Sequence, residues 1–203
     1  LHALQDAHDL VVPCALSCSA QLDPQGRRLV GFVGSLASYQ RVDVLVDAMR
    51  LLRSERDDVH LVLIGGTPER ARALGAEDVA TLLSHVPYEE IPRLISALDV
   101  AVLPDSNWYG SPVKVLEYAA VGVPIVAPRI PPVEDLMSEP GDIRLVAPGD
   151  PEALATAIGQ TLDAEQDARQ RAEAFAETVR GRFSRSTRTA QLLDLMTLLV
   201  AHA

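Results

Sequence analysis

Positive charge is scarce in this chain. Of its 203 residues 28 are acidic and only 18 are lysine or arginine, for a formal net charge of −10. That balance argues against general binding to nucleic acid or to anionic membrane surfaces, both of which demand a positive field. Lysine is almost missing: Lys114 is the only one, as Trp108 is the only tryptophan. Cysteine is limited to Cys14 and Cys18. With His2 and His8 they could be drawn as a zinc site, but such sites pair their ligands more tightly, and two reduced thiols are the simpler account. No run of about 18 apolar residues occurs, which argues against a transmembrane helix. The chain opens at Leu1 with no basic segment ahead of an apolar one, so no signal peptide is expected, and it reads as a fragment or a processed product. Also missing are a Gly-x-Ser-x-Gly nucleophile, a Walker lysine and a dense His/Asp/Glu constellation for a metal. The first strand ends in GFVGSL and lacks G-x-G-x-x-G, which disfavours a nicotinamide oxidoreductase.

What the chain does have is length for one core, an ordinary apolar fraction of 48%, and a regular alternation of short apolar runs with helical patterns. Strands are expected over 29–34, 60–65, 79–84, 100–104, 124–126 and 143–146. Helices are expected over 42–55, 68–74, 88–98, from 111, 132–137 and 150–162. Strands and helices alternating at this spacing imply βαβ units. The predicted fold is α/β, a Rossmann-like parallel sheet of about six strands with helices on both faces, followed by a C-terminal helical tail. Right-handed crossovers place the strand C-termini, and any ligand, along one edge. In the tail, Glu165 to Arg182 is highly charged and reads as a solvated helix. Thr187 to Val200 is apolar on most sides, through Leu192, Leu193, Leu195, Met196, Leu198, Leu199 and Val200.

The most informative stretch runs from Asp99 through DSNWYG to SPVKVLEYAAVGVPIVAP. Ser111 at an N-cap and Pro112 at the first helical position are helix-start chemistry. Lys114 then falls in the first turn, where the helix dipole disfavours a cation. A positive charge there is reasonable if an anion sits before the helix, held by the lysine and the free backbone N–H groups. Arginine far outnumbers lysine, and Ala, Asp and Val are abundant, which points to a GC-rich genome. Against that bias one lysine at a helix start is informative. Lys114 and Glu117, three apart, also fit a plain surface pair worth about 0.2–0.5 kcal/mol.

This stretch resembles the donor-nucleotide motif of retaining GT-B glycosyltransferases of the glycosyltransferase 4 type, the glycosyl transferases group 1 family. Glu117 matches the second Glu of the family's E-x7-E signature, which implies a carboxylate on the ribose hydroxyls. The first Glu falls on Tyr109, and the YGSP-x-K form resembles a sub-group with that loop. The resemblance covers about residues 9–200. It implies that 1–27 is the end of an N-terminal domain with its linker, 28–163 a nucleotide-sugar-binding domain, and 164–203 C-terminal helices. The N-terminal acceptor domain is then absent from the chain.

The resemblance also assigns roles. Lys114 is expected near a diphosphate, with the N–H groups around Gly110, Ser111, Pro112 and Val113 beside it. Gly34-Ser35 resembles the family's glycine loop at the cleft. The family's two diphosphate cations there fall on Ser35 and Gln40, and Arg41, one residue on, could take over that role or face solvent. Gly65-Gly66 resembles a glycine turn against the donor, although a tight turn before Pro68 is the alternative. His85 and Val86 match the loop that lines the nucleobase. Metal-independent transfer without a cofactor is implied, with a nucleotide diphosphate sugar as substrate in a bacterial, cytoplasmic or peripheral inner-membrane setting. With the partner domain missing, residues 187–201 are expected to self-associate or to fold back onto the sheet. Two other functions remain open: a non-catalytic GT-B-like nucleotide-binding or interaction domain, suggested by Tyr109, Ser35 and Gln40, and one half of a sugar-nucleotide epimerase.

Overall fold

The computed structural model describes residues 22–23, 25–105, 112–137, 139 and 142–183. The expected apolar helix over Thr187–Val200, with its self-association, and the site residues Tyr109, Gly110 and Ser111 lie outside the described residues.

In chain order the elements are β1 (Arg28–Val33), α1 (Val42–Glu55), β2 (Val59–Ile64), α2 (Pro68–Ala73), β3 (Ala80–Leu83), α3 (Ile91–Ser96) and β4 (Val100–Val102). They continue as α4 (Val113–Val121), β5 (Ile125–Pro128), α5 (Pro131–Glu134), β6 (Arg144–Val146), α6 (Pro151–Asp163) and α7 (Glu165–Phe183). The six strands form one sheet in the order β3-β2-β1-β4-β5-β6, and every pairing is parallel. The expected Rossmann-like sheet with helices on both faces is what forms.

Parallel strands covered on both sides must be apolar at successive positions rather than at alternate ones. β2, VHLVLI, is buried at all six positions. Val30, Phe32, Leu61, Leu63, Val100 and Val102 pack with Val42, Leu45 and Met49 of α1 and Leu154 and Ile158 of α6. The intervening Leu29, Val33, Val62, Ile64, Ala101 and Leu103 pack with α3, α4 and α7 on the other face. α6 begins cleanly because Pro151 needs no N–H partner and Asp150 Oδ1 accepts from the Ala153 N–H at 2.9 Å.

Three expectations are corrected. Tyr88 to Leu98 is not one helix but a 3-10 turn over Tyr88–Glu90 followed by α3. Pro92 has no N–H to give the Tyr88 carbonyl, so α-helical bonding begins after it. At α4 the N-cap is Pro112, not Ser111, and no side chain caps it. α7 is not solvated all round. Ala172, Phe175, Ala176 and Val179 are a buried i, i+3, i+4, i+7 stripe, and Arg180 Nε donates to the Ala120 carbonyl of α4 at 2.8 Å. Arg169 Nη2 further donates to Asp99 Oδ1 at 2.8 Å, and the other oxygen of Asp99 accepts from the Leu29 N–H. Among the described residues no helix is long and apolar enough to cross a membrane.

Candidate functional site

β1 and β4 are neighbours, yet the helices that follow them lie on opposite faces of the sheet: α1 on one, α4 on the other. Chains that diverge in this way leave a crevice beyond the strand C-termini. The two strands pair only at Val30↔Val100 and Gly31↔Ala101 before separating. The Val33 N–H, now without a strand partner on that side, donates to the Tyr118 hydroxyl at 2.9 Å. Tyr118 is fully buried, and burial pushes its hydroxyl well above the ordinary tyrosine range. It forms the floor of the crevice and ties α4 to the end of β1.

Two glycine turns shape the rim. The Gly34 N–H bonds the Ile64 carbonyl at 2.8 Å, and the Gly65 N–H bonds the Leu83 carbonyl at 2.8 Å. Gly65 has φ +96°, and a Cβ there would stand 2.6 Å from the Gly34 carbonyl oxygen. Only glycine lets these strand ends approach so closely. At Gly34 a Cβ would stand 2.8 Å from Lys114 Cε, so the lysine stem lies directly over this glycine. Gly66, with φ +75°, leaves room for Leu36. Leu36, Arg41 and His85 are non-glycine residues with positive φ, at +56°, +47° and +58°, and all three stand in loops at this same edge. Strained backbone of this kind collects at ligand sites.

Lys114 and Glu117 lie on α4, which presents its N-terminus to the crevice. Val115 and Leu116 N–H groups bond the Pro112 carbonyl at 3.0 and 3.3 Å, while those of Val113 and Lys114 find no acceptor among the described residues. Lys114 is half-buried, and burial pulls its ammonium below the ordinary range, with Glu117 pulling it partly back. No carboxylate stands within ion-pair distance of it among the described residues. Burial likewise pushes the Glu117 carboxyl up, partly offset by Lys114. These two are not a formed surface pair. They are a desolvated cation and a desolvated acid whose charges an anion and hydroxyl donors would complement.

The other expected residues divide. Ser35 is exposed at the turn, and its hydroxyl bonds Gln40 Oε1 at 3.3 Å. Gln40 is buried and turned inward, also accepting from the Ala37 N–H at 3.1 Å, so it braces the loop. Arg41 points at Asp43, which takes its Nε with both oxygens at 3.2 Å. His85 is exposed, Val86 is half-buried against the core on the α4 face of the sheet, Pro112 is buried and Val113 exposed. Two contributors are new. One is Tyr118, whose place in EYAA carried no sequence signal beyond an aromatic on an apolar helix face. The other is Arg70 of α2, whose Nη1 donates to the Ser35 carbonyl at 2.7 Å from thirty-five residues away.

The fold and the glycine-lined crevice define a Rossmann-like α/β domain with its crevice at the switch point between β1 and β4. The chain belongs to the glycosyl transferases group 1 family, whose profile matches residues 27–164. It is 31% identical over 185 residues to a D-inositol 3-phosphate glycosyltransferase of Corynebacterium urealyticum, covering 85% of this chain and 43% of that protein. An MMP alpha-(1->4)-mannosyltransferase of Mycolicibacterium hassiacum is 29% identical, over 79% of this chain and 41% of its own length. The chain therefore spans less than half of these relatives. Among solved structures, Anabaena HepE in complex with UDP and glucose superposes with a TM-score of 0.78 at 21% identity, over 92% of this chain and 53% of that one. Sucrose-phosphate synthase of Thermosynechococcus elongatus gives 0.76 at 25% identity, over 93% and 49%. The fold is that of the GT-B glycosyltransferases.

Proposed function

We propose that this chain is the donor-binding half of a retaining, metal-independent glycosyltransferase that moves a sugar from a nucleoside diphosphate sugar to an acceptor hydroxyl. The observation that carries the reading is Lys114: half-buried, without an ion-pair partner among the described residues, laid over Gly34 at the N-terminus of α4, with Glu117 one turn on. In this reading the diphosphate lies across the Gly34-Ser35 turn against Lys114 and the first N–H groups of α4. The two oxygens of Glu117 each accept from one ribose hydroxyl. As the diphosphate departs from an oxocarbenium-like centre, Lys114 stabilises the charge it gains. The His85-Val86 loop flanks the base. HepE, which shares this fold, is described with UDP and glucose. The acceptor and the closed cleft would come from the other half, so the chain by itself would bind donor nucleotide without transferring sugar.

A second reading, a nucleotide-binding domain without turnover, draws on Gln40 and Arg41, whose side chains are committed inside their own loop. Titrating the chain calorimetrically with UDP, GDP, ADP and dTDP, each beside its sugar conjugate, tests the donor site. Binding by at least one, weakened for nucleoside and diphosphate alike in Glu117→Gln, is expected. No binding by any of them would sink the donor reading. Transfer by this chain alone would refute the division of labour.

A further inference from the structure

Lys114 approaches the Gly34-Ser35 turn from α4, and a second cation approaches it from the other side. Arg70 extends from α2, behind β2, and its guanidinium reaches the Ser35 carbonyl at 2.7 Å. The protein carries ten more acidic than basic residues, and its arginines are mostly claimed by them. Arg41 is held by Asp43, and Arg72, two residues along the same helix, lies 3.5 Å from Glu77. Arg70 has no carboxylate within ion-pair distance among the described residues, although Glu69 precedes it. Of the five N–H donors of a guanidinium, the Ser35 carbonyl takes one, and the rest of the fork meets no acceptor among the described residues at an exposed rim. Two cations without a carboxylate partner among the described residues thus flank one glycine turn, from separate elements on opposite faces of the sheet. A single phosphoryl group needs only one of them; a ligand with two adjacent phosphoryl groups can engage both.

Building on the donor-site reading above, we infer that Arg70 is a second diphosphate-binding residue, which makes the site prefer a nucleoside diphosphate over the monophosphate. Its guanidinium geometry suits two oxygens of one phosphoryl group at once, which an ammonium cannot match. The competing account of Arg70 is a brace for the Ser35 loop, and the two differ in what charge does.

The test uses the whole 203-residue chain and whichever of UDP, GDP, ADP or dTDP binds it most tightly, with the corresponding monophosphate and nucleoside. Affinities are measured for wild type, Arg70→Ala, Arg70→Gln, Arg70→Lys and Lys114→Ala. The expected result is a loss of roughly tenfold for the diphosphate in both Arg70→Ala and Arg70→Gln. Arg70→Lys should recover part of it, the monophosphate should change less, and the nucleoside should not change. Gln keeps an N–H donor for the Ser35 carbonyl and lacks the charge. Wild-type affinity in Arg70→Gln, or equal losses for all three ligands, would reduce Arg70 to a brace and overturn the inference. A loss in Lys114→Ala with none in Arg70→Ala overturns it while leaving the donor site standing. If wild type binds no diphosphate, the donor site falls and this assignment falls with it.

Discussion

Replacing Lys114 by alanine should move binding and stability in opposite directions. The ammonium is half-buried and lowered in pKa by that burial, and it stands in the first turn of a nine-residue helix whose dipole opposes it. Without a ligand these are costs: the dipole alone disfavours a first-turn cation by about 0.3–1 kcal/mol. The stem over Gly34 gives back some packing. Net, Lys114→Ala should leave the ligand-free protein unchanged in melting temperature or slightly more stable. With a diphosphate bound the sign reverses. One charge-assisted hydrogen bond of roughly 1.5–3 kcal/mol disappears. At about 1.4 kcal/mol per decade this weakens binding by about 10- to 150-fold. Calorimetric affinities for nucleoside diphosphate and nucleoside, beside thermal melts of both proteins, measure every quantity required. The nucleoside should bind equally well to both. A lower melting temperature combined with an unchanged diphosphate affinity would refute the reasoning, because Lys114 would then be a stabilising surface residue.

Tyr118→Phe removes one hydroxyl and leaves the buried Val33 N–H without an acceptor, at a cost of about 1–3 kcal/mol, readable as a lower denaturant midpoint; an unchanged midpoint would mean that the hydrogen bond contributes nothing. His60 is held below the ordinary histidine range, first by burial and then by Arg27, and its Nδ1 is buried without a partner. The unfolded chain therefore takes up this proton before the folded one does, so stability should fall as pH drops below about 6.5. In His60→Gln that slope below about pH 6.5 should flatten, which denaturant titrations at several pH values would show; an identical slope would place the titration elsewhere.

The sheet could be read from the chain because strands such as VHLVLI are apolar at all positions but His60 and the segments between them carry helical spacing. Lys114 and Glu117 are marked in the sequence for different reasons: a lone lysine at a helix start stands out in an arginine-rich chain, and Glu117 falls on the second Glu of the family signature. Arg70 is not, since nothing local distinguishes it from Arg72. Its contact with the Ser35 carbonyl comes from the pairing of β1 with β2, which sets the segments that follow them side by side. For Arg41 the sequence leaves a phosphate role and a solvent-facing one open, and in the structure its guanidinium meets Asp43, two residues on, in an exposed ion pair. The charged composition of α7 hid its apolar stripe, because one buried side chain every three or four positions is diluted by arginine and glutamate between them.

The bond between Tyr118 and Val33 also carries distance from the sheet to the helix. It fastens α4 to the end of β1, so the spacing between the glycine turn and Lys114 is set by a strand end and a helix rather than by either partner. A substitution at Tyr118 is therefore felt at Gly34 and Lys114 together, although its hydroxyl bonds neither of them. The residue that fixes the gauge of this edge is one that never reaches its surface.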